Sequence, residues 1–144
     1  MTDKPLLFTP GPLSTSKATK NAMLRDWGAR DTEFIALTRE INLTLEKIAG
    51  VEQGAPSHNC VLIQGSGTFV VEATIDTLIP RDTNILVLIN GAYGRRMAKI
   101  CQIHERSYIT LETDEDTPPT ANQVTQLLKK DKSITHVLAV HCET

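Results

Sequence analysis

An uninterrupted apolar run at residues 85–89 (ILVLI) constrains the fold more than any other feature of this 144-residue chain. A strand that is apolar at every position must be covered on both faces, which is typical of parallel sheets flanked by helices. Strand-like runs at residues 107–111 and 134–141 follow, and segments with helical signals separate them. This alternation predicts an α/β protein, with a three-layer α/β/α architecture and a mostly parallel sheet.

The other elements are predicted from capping residues and periodicity. Ser16 and Asp31 can cap helices, Gly50 is a plausible helix end, and Thr120 begins a sequence with the form of a capping box. The predicted helices are 16–25, 31–50, 66–79, 93–104 and 120–130, and the predicted strands are 60–64, 85–89, 107–111 and 134–141. Three prolines and a glycine within residues 5–16 predict an ordered, extended loop.

Composition and charge exclude several classes of function. A formal net charge of −2 is unlike the basic surface of a nucleic-acid-binding domain. No apolar run approaches the roughly 20 residues that span a bilayer, and the first residues lack the layout of a signal peptide. We therefore expect no nucleic-acid partner, no membrane segment and a cytoplasmic location. The three cysteines, Cys60, Cys101 and Cys142, have neither disulfide-framework nor zinc-site spacing, so we expect no metal.

The sequence Gly65-Ser66-Gly67-Thr68 links a predicted strand to a predicted helix. Glycines allow a ligand to approach the backbone, and the free N–H groups and dipole of a helix N-terminus attract a phosphate. The pattern lacks the lysine of a P-loop, and it has Val70 where a dinucleotide fingerprint has its third glycine. A turn needed only for tight packing of strand against helix stays open as an alternative.

Two further strand ends carry polar or aromatic residues. Tyr93 follows the buried run at 85–89, where its ring could lie flat on a planar ligand or be an ordinary half-buried tyrosine. His141, Glu143 and Thr144 follow the strand predicted at 134–141, although a lone histidine is more often structural than catalytic. Because ligands of open α/β sheets bind at the carboxyl ends of strands, these groups together suggest a planar phosphorylated cofactor such as pyridoxal phosphate.

Five motifs in order extend this interpretation to a family. TPGPL at 9–13, QGSGT at 64–68, VEA at 71–73, NGAYG at 90–94 and HCET at 141–144 resemble the class V aminotransferases of fold type I. The resemblance covers nearly the whole chain. Within the class, MLRDWG at 23–28 favours the group of 2-aminoethylphosphonate–pyruvate transaminases, while alanine–glyoxylate and serine–pyruvate aminotransferases stay open.

The resemblance implies a cofactor and the residues that hold it. The cofactor would be pyridoxal 5'-phosphate. Ser66, Gly67 and Thr68 would bind its phosphate, Tyr93 would stack on its pyridine ring, and Thr144 would approach the ring edge. The partners implied are small-molecule substrates, namely an amino donor and pyruvate, together with a second subunit in a homodimer.

The resemblance also implies a division of roles along the chain. Residues 1–30 would form a substrate loop and a short helix, with Pro10, Gly11 and Pro12 lining the substrate pocket. Residues 31–144 would be the amino-terminal part of the cofactor-binding large domain. The Schiff-base lysine, the aspartate that pairs with the pyridine nitrogen and the arginine that grips the substrate carboxylate would lie beyond Thr144. We therefore expect no catalytic residue in this chain, and a non-catalytic phosphate-binding domain stays open as an alternative function.

Overall fold

The computed structural model describes residues 5–9, 11–51 and 58–143, and its chain divides into two compact units, Met1–Leu62 and Ile63–Thr144. The first unit begins with the predicted loop, in which Phe8 and Leu13 form an isolated antiparallel bridge. Beside this bridge, the Leu7 N–H donates to the Ser14 hydroxyl at 2.8 Å. The division of roles predicted after residue 30 concerns function and stays a prediction.

Two helices of the first unit begin where their capping residues predict. Helix α1, Lys17–Ala22, follows Ser16, whose hydroxyl accepts a hydrogen bond from the Thr19 N–H at 3.1 Å. Helix α2, Thr32–Ile48, follows Asp31, but this carboxylate does not cap the helix. It accepts instead from the Gly28 N–H at 2.8 Å, because the chain turns back just before the helix. The helix positions are confirmed, and the side-chain cap predicted at Asp31 is wrong.

The second unit contains the predicted parallel sheet. Its strands are β1 (Asn84–Ile89), β2 (Tyr108–Glu112) and β3 (Ile134–Leu138), in the order β2-β1-β3. Both pairings are parallel, with Ile85 opposite Tyr108 and Leu86 opposite Val137. The all-apolar strand β1 lies at the centre, as expected for a strand covered on both faces.

Three helices accompany the sheet: α3 (Gly67–Leu78), α4 (Ala92–Ile103) and α5 (Ala121–Lys130). The connection through α4 leads from β1 to one neighbour and the connection through α5 leads back to the other side of β1. Because such crossovers are right-handed, the two helices belong on opposite faces of the sheet. The predicted capping box of α5 is present, since the Thr120 hydroxyl and the Gln123 side chain each accept from the other residue's N–H.

The core lies where α3 and α4 meet the sheet. It consists of buried apolar side chains from both helices and from one face of β1: Ile75, Ile79, Ile85, Val87, Ile89, Met97, Ala98, Ile100 and Cys101. Leu86 is also fully buried but, by strand alternation, lies on the opposite face. Burying one such aliphatic side chain stabilises the fold by about 1.5–3 kcal/mol. The α/β class and the covered central strand predicted from the sequence are confirmed.

The buried strand predicted at residues 60–64 is wrong. In the part of the chain that the structure describes, these residues pair with no strand, and Val61 is 75% exposed. A β-branched apolar run becomes a strand only when another strand accepts its hydrogen bonds, and the three described strands pair with one another. The strand predicted to reach His141 also ends earlier, at Leu138.

Candidate functional site

The first turn of α3 is entered through a sharp glycine turn. Gly65 has φ +142°, a conformation that side chains other than glycine rarely adopt. A Cβ at this residue would also stand 2.8 Å from the Phe69 ring. Ser66 then caps the helix, because its hydroxyl accepts from the Phe69 N–H at 3.2 Å. Backbone conformation and close packing therefore account for Gly65 without any ligand.

Gly67 requires a different explanation. A Cβ placed on Gly67 would meet no atom within 4 Å, so packing does not demand a glycine there. Among the described residues, the N–H groups of Gly67 and Thr68 have no hydrogen-bond acceptor. Free donors, open space and the positive end of the helix dipole coincide at this turn, an arrangement that fits a phosphate or similar anion.

Arg96 on α4 connects this turn to Tyr93. Its Nη1 donates to the Thr68 hydroxyl at 3.1 Å, and its guanidinium carbon lies 5.0 Å from the centroid of the Tyr93 ring. Tyr93 is 41% exposed, so part of this residue is accessible to a ligand. The structure therefore brings together Thr68 and Tyr93, two of the residues predicted to bind the cofactor.

The N-terminus of α4 is already satisfied by a carboxylate. Glu143 accepts from the Tyr93 N–H at 3.0 Å and from the Gly94 N–H at 3.1 Å. A Cβ on Gly91 would collide with Cγ and Cδ of Glu143, so glycine at this position lets the carboxylate reach the helix. The N-terminus of α4 is thus capped by Glu143, whereas at the N-terminus of α3 the Ser66 cap leaves the N–H groups of Gly67 and Thr68 without an acceptor among the described residues.

Sequence reasoning treated Glu143 as one polar group among several and missed its capping role. A signal was available, because α4 begins after Gly91 and has no capping side chain of its own. A helix that starts in this way needs an acceptor from elsewhere in the fold. The carboxyl end of the neighbouring parallel strand β3 is the natural place to look for one.

Arg95, next to Arg96, has a different set of partners. Its Nε donates to Glu112 at 2.9 Å and its Nη1 donates to Glu115 at 3.4 Å. These hydrogen bonds raise the pKa of Arg95 above its ordinary value. Glu112 at the end of β2 and Glu115 just after it thus pair with one arginine of α4, while Arg96 contacts Thr68 in the first turn of α3.

The opposite end of α3 holds a second polar cluster with a structural role. Arg106 is buried, and its Nη2 donates to three main-chain carbonyls at the C-terminus of the helix: Ile75 at 3.0 Å, Asp76 at 3.0 Å and Ile79 at 2.7 Å. His104 lies nearby, with Nε2 at 2.7 Å from a Glu72 oxygen. A cation at a helix C-terminus satisfies its carbonyls and its dipole, so this cluster secures the helix whose other end is the candidate site.

The remaining predicted site residues lie away from this turn or outside the description. Gly11 and Pro12 lie in the loop of the first unit, and Pro10 and Thr144 fall outside the described residues. His141 is exposed just after β3. Within the described ranges there is no group of three His, Cys, Asp or Glu side chains that could hold a metal ion. None of the described helices combines the length and the apolar character needed to cross a membrane.

Comparison with known sequences supports the motif-based resemblance. The chain is 55% identical over 144 residues to the 2-aminoethylphosphonate–pyruvate transaminases of Pseudomonas putida strains F1 and KT2440. It is also 55% identical over 140 residues to the transaminase of that name from Pseudomonas aeruginosa PAO1. The chain spans 38% of the length of the P. putida proteins. No protein-family profile matches it. The resemblance inferred from the motifs is confirmed along the whole chain.

Solved structures show the same fold. An alanine–glyoxylate aminotransferase from Nostoc sp. matches 93% of this chain with a TM-score of 0.76 at 23% identity, and the match covers 34% of that protein. A pyridoxamine–pyruvate aminotransferase from Mesorhizobium loti matches 90% of the chain with a TM-score of 0.76 at 22% identity, covering 32% of that protein. The predicted fold class, that of the fold type I aminotransferases, is confirmed.

Proposed function

We propose that this chain, which is similar along its whole length to 2-aminoethylphosphonate–pyruvate transaminases, forms the part of a pyridoxal-phosphate-dependent aminotransferase that anchors the cofactor phosphate. The observation that carries the proposal is the open first turn of α3, where two N–H groups have no acceptor among the described residues. The glycine and hydroxyl residues of this turn belong to one of the motifs shared with the family.

The residues present fit a phosphorylated, planar cofactor. Gly67 and Thr68 offer N–H donors, the Thr68 hydroxyl offers a further polar group, and Arg96 beside it offers positive charge. Ser66 ends the turn and holds the helix start in place through its own capping bond. Tyr93 supplies an aromatic surface on which a pyridine ring can stack. We assign Ser66, Gly67, Thr68 and Tyr93 to cofactor binding on these grounds, and Thr144 on the resemblance alone.

The chemistry is that of amino-group transfer. Pyridoxal phosphate, when bound, supplies a carbonyl group that carries the amino group and a ring that withdraws electrons from the reacting carbon. The protein would transfer the amino group of 2-aminoethylphosphonate to pyruvate, giving phosphonoacetaldehyde and alanine. Pro10, Gly11 and Pro12 would line the substrate pocket. In the proposed reaction, Ser66, Gly67, Thr68 and Tyr93 bind and orient the cofactor.

A homodimer is part of the same proposal. The long helix α2 has no buried residue, although apolar side chains recur along it at helical spacing. Ile35 is 55% exposed and Ile48 is 76% exposed. Apolar surface of this kind on a helix favours association with another protein surface, for which a second subunit is the partner that the resemblance implies.

Alanine formation from pyruvate tests the proposed activity. The protein assayed should contain this sequence and match the full length of its relatives. With pyridoxal phosphate present, we expect alanine when 2-aminoethylphosphonate is the donor and little when serine replaces it. If the protein instead turns over only alanine with glyoxylate, or serine with pyruvate, the proposed amino donor is wrong but the aminotransferase class is right. Tight cofactor binding with no turnover of any donor would instead support the non-catalytic phosphate-binding function.

A further inference from the structure

Two consecutive arginines at the start of α4 have opposite surroundings. Arg95 is held by two carboxylates, Glu112 and Glu115. Arg96 makes no ion pair within the described part of the chain, and it contacts instead the hydroxyl of Thr68 and the ring of Tyr93. The charge of Arg96 is therefore not neutralised by a described acidic group. It stands beside the helix end at which the Gly67 and Thr68 N–H groups have no acceptor among the described residues.

The hydrogen bond from Arg96 determines what the Thr68 hydroxyl can do. An arginine only donates, so the threonine oxygen is the acceptor, and the threonine O–H is left to donate to another group. A hydroxyl that accepts from a cation becomes a stronger donor, because hydrogen bonds in a chain polarise one another. Through this contact Arg96 prepares Thr68 to donate toward an anion at the first turn of α3.

The contact with Tyr93 links the same side chain to the second predicted element of the site. Arg96 and Tyr93 are three positions apart on α4, a spacing that places two side chains on one helix face. A guanidinium group 5.0 Å from the ring centroid restrains the ring through a cation–π interaction. Arg96 thus fixes the position of Tyr93 relative to Thr68, although these two residues belong to different helices.

We propose that Arg96 is a positioning residue for the phosphorylated cofactor, one that orients Thr68 and Tyr93 together and adds the charge that favours a phosphate ester over an uncharged analogue. This inference rests on the proposed function. It predicts that Arg96 adds to the selectivity for a phosphate ester that the N–H groups of the α3 turn already provide, because the cation acts only when the ligand carries the anion.

Calorimetric titration with two ligands tests this role. Pyridoxal 5'-phosphate carries the phosphate and pyridoxal lacks it, and both are titrated into the unaltered protein, Arg96→Met and the matched control Arg95→Met. We expect Arg96→Met to weaken binding of the phosphate ester by about tenfold or more, the effect of losing one charge-assisted interaction. Its binding of pyridoxal should change much less, and Arg95→Met should leave the affinities for both ligands nearly unchanged.

Several outcomes would overturn the proposal. Equal weakening of both ligands by Arg96→Met would mean that the side chain acts only through packing, and no weakening would mean that it has no role. If Arg96→Met does not fold, Arg96→Lys is used in its place, because lysine keeps the positive charge. We expect Arg96→Lys to keep most of the preference for the phosphate ester. Loss of this preference would contradict the role of the charge. If the unaltered protein does not prefer the phosphate ester, the proposed function fails as well, whereas a preference that Arg96→Met leaves undiminished defeats this inference alone.

Discussion

At the scale of single residues, glycines in similar sequence positions before or within the first turn of a helix are required for different structural reasons. Gly65 is required by its positive φ and by the nearby Phe69 ring, and Gly91 by the approach of Glu143. Gly67 has neither constraint, since a Cβ placed there would meet no atom within 4 Å. The functional interpretation of the turn therefore depends on Gly67 much more than on Gly65.

Substituting Gly67 with alanine separates binding from stability. Gly67 is the first residue of α3, where alanine is the better helix former, so we expect the free energy of unfolding to stay equal or rise by about 0.5–1 kcal/mol. The new methyl group would occupy the space that we assign to the phosphate, so affinity for pyridoxal phosphate should fall. Urea denaturation and calorimetric titration measure the two effects. An unchanged affinity would count against a phosphate at this turn.

Substituting Gly91 with alanine, in contrast, should lower the stability of the fold. The added Cβ displaces the Glu143 carboxylate from two N–H groups at the start of α4. Losing hydrogen bonds to a charged group at a helix end should lower the free energy of unfolding by about 1–3 kcal/mol. Gly11→Ala is a matched control, because a Cβ there would meet nothing within 4 Å. Equal urea midpoints for Gly91→Ala and the unaltered protein would contradict the capping role of Glu143.

At the scale of secondary-structure elements, local sequence signals were sufficient to predict most helices. They were not sufficient to predict every strand, because strands depend on pairing with distant residues. The Thr120 capping box and the Ser16 cap could be predicted because every partner lies within three residues. The run at 85–89 becomes a strand because two parallel neighbours pair with it, and the run at 60–64 has no partner in the described chain. Both runs look alike in the sequence, since hydrogen bonds to a distant strand leave no local trace.

The candidate site shows the same limit. The glycine turn and the start of α3 could be predicted from four adjacent residues. The role of Arg96 could not, because its contact with Thr68 spans 28 residues and exists only where α3 packs against α4. Similarly, Glu143 reaches the start of α4 from 49 and 50 residues further along the chain. What sequence reasoning missed in this site are contacts between elements.

The end of α5 supplies a pH-dependent prediction. Hydrogen bonds from the Ser133 hydroxyl and N–H, and from Asn84, hold the pKa of Asp131 below its usual range. A lowered folded-state pKa stabilises the fold above the unfolded pKa of about 3.9, and this stabilisation is lost as pH falls through the folded value. We expect Asp131→Asn to lower the urea midpoint at pH 7 more than at pH 3. The exposed Asp114→Asn serves as a control. A pH-independent effect of Asp131→Asn would contradict this assignment.

At the scale of the whole molecule, the core of the second unit is built on β1, with α3 and α4 packed against it. The candidate site lies at one end of these two helices, and the Arg106 cluster secures the other end of α3. Forces that hold the core together therefore also hold the first turn of α3 in place. Unfolding of the second unit should abolish the site in one step.

The reactivity of the three cysteines measures how well this core is protected, because only Cys101 lies within it. Cys142 is exposed, Cys60 is half-buried and Cys101 is fully buried, and burial raises the pKa of the Cys101 thiol. Because the thiolate is the reactive form, a thiol reagent at pH 8 should modify Cys142 first and Cys101 only when the second unit opens. Mass spectrometry over time measures this order, with denatured protein as the control in which all three react. Fast modification of Cys101 in native protein would contradict the core described here.

The proposed function depends most on one interaction, that of the first turn of α3 with the phosphate of pyridoxal phosphate. Amide chemical shifts in two-dimensional NMR, recorded while pyridoxal phosphate or inorganic phosphate is added, test it most directly. We predict that both ligands shift the Gly67 and Thr68 resonances most, and that only pyridoxal phosphate also shifts Tyr93 strongly. Saturable binding of pyridoxal phosphate that leaves Gly67 and Thr68 unmoved while other resonances shift would contradict the claim.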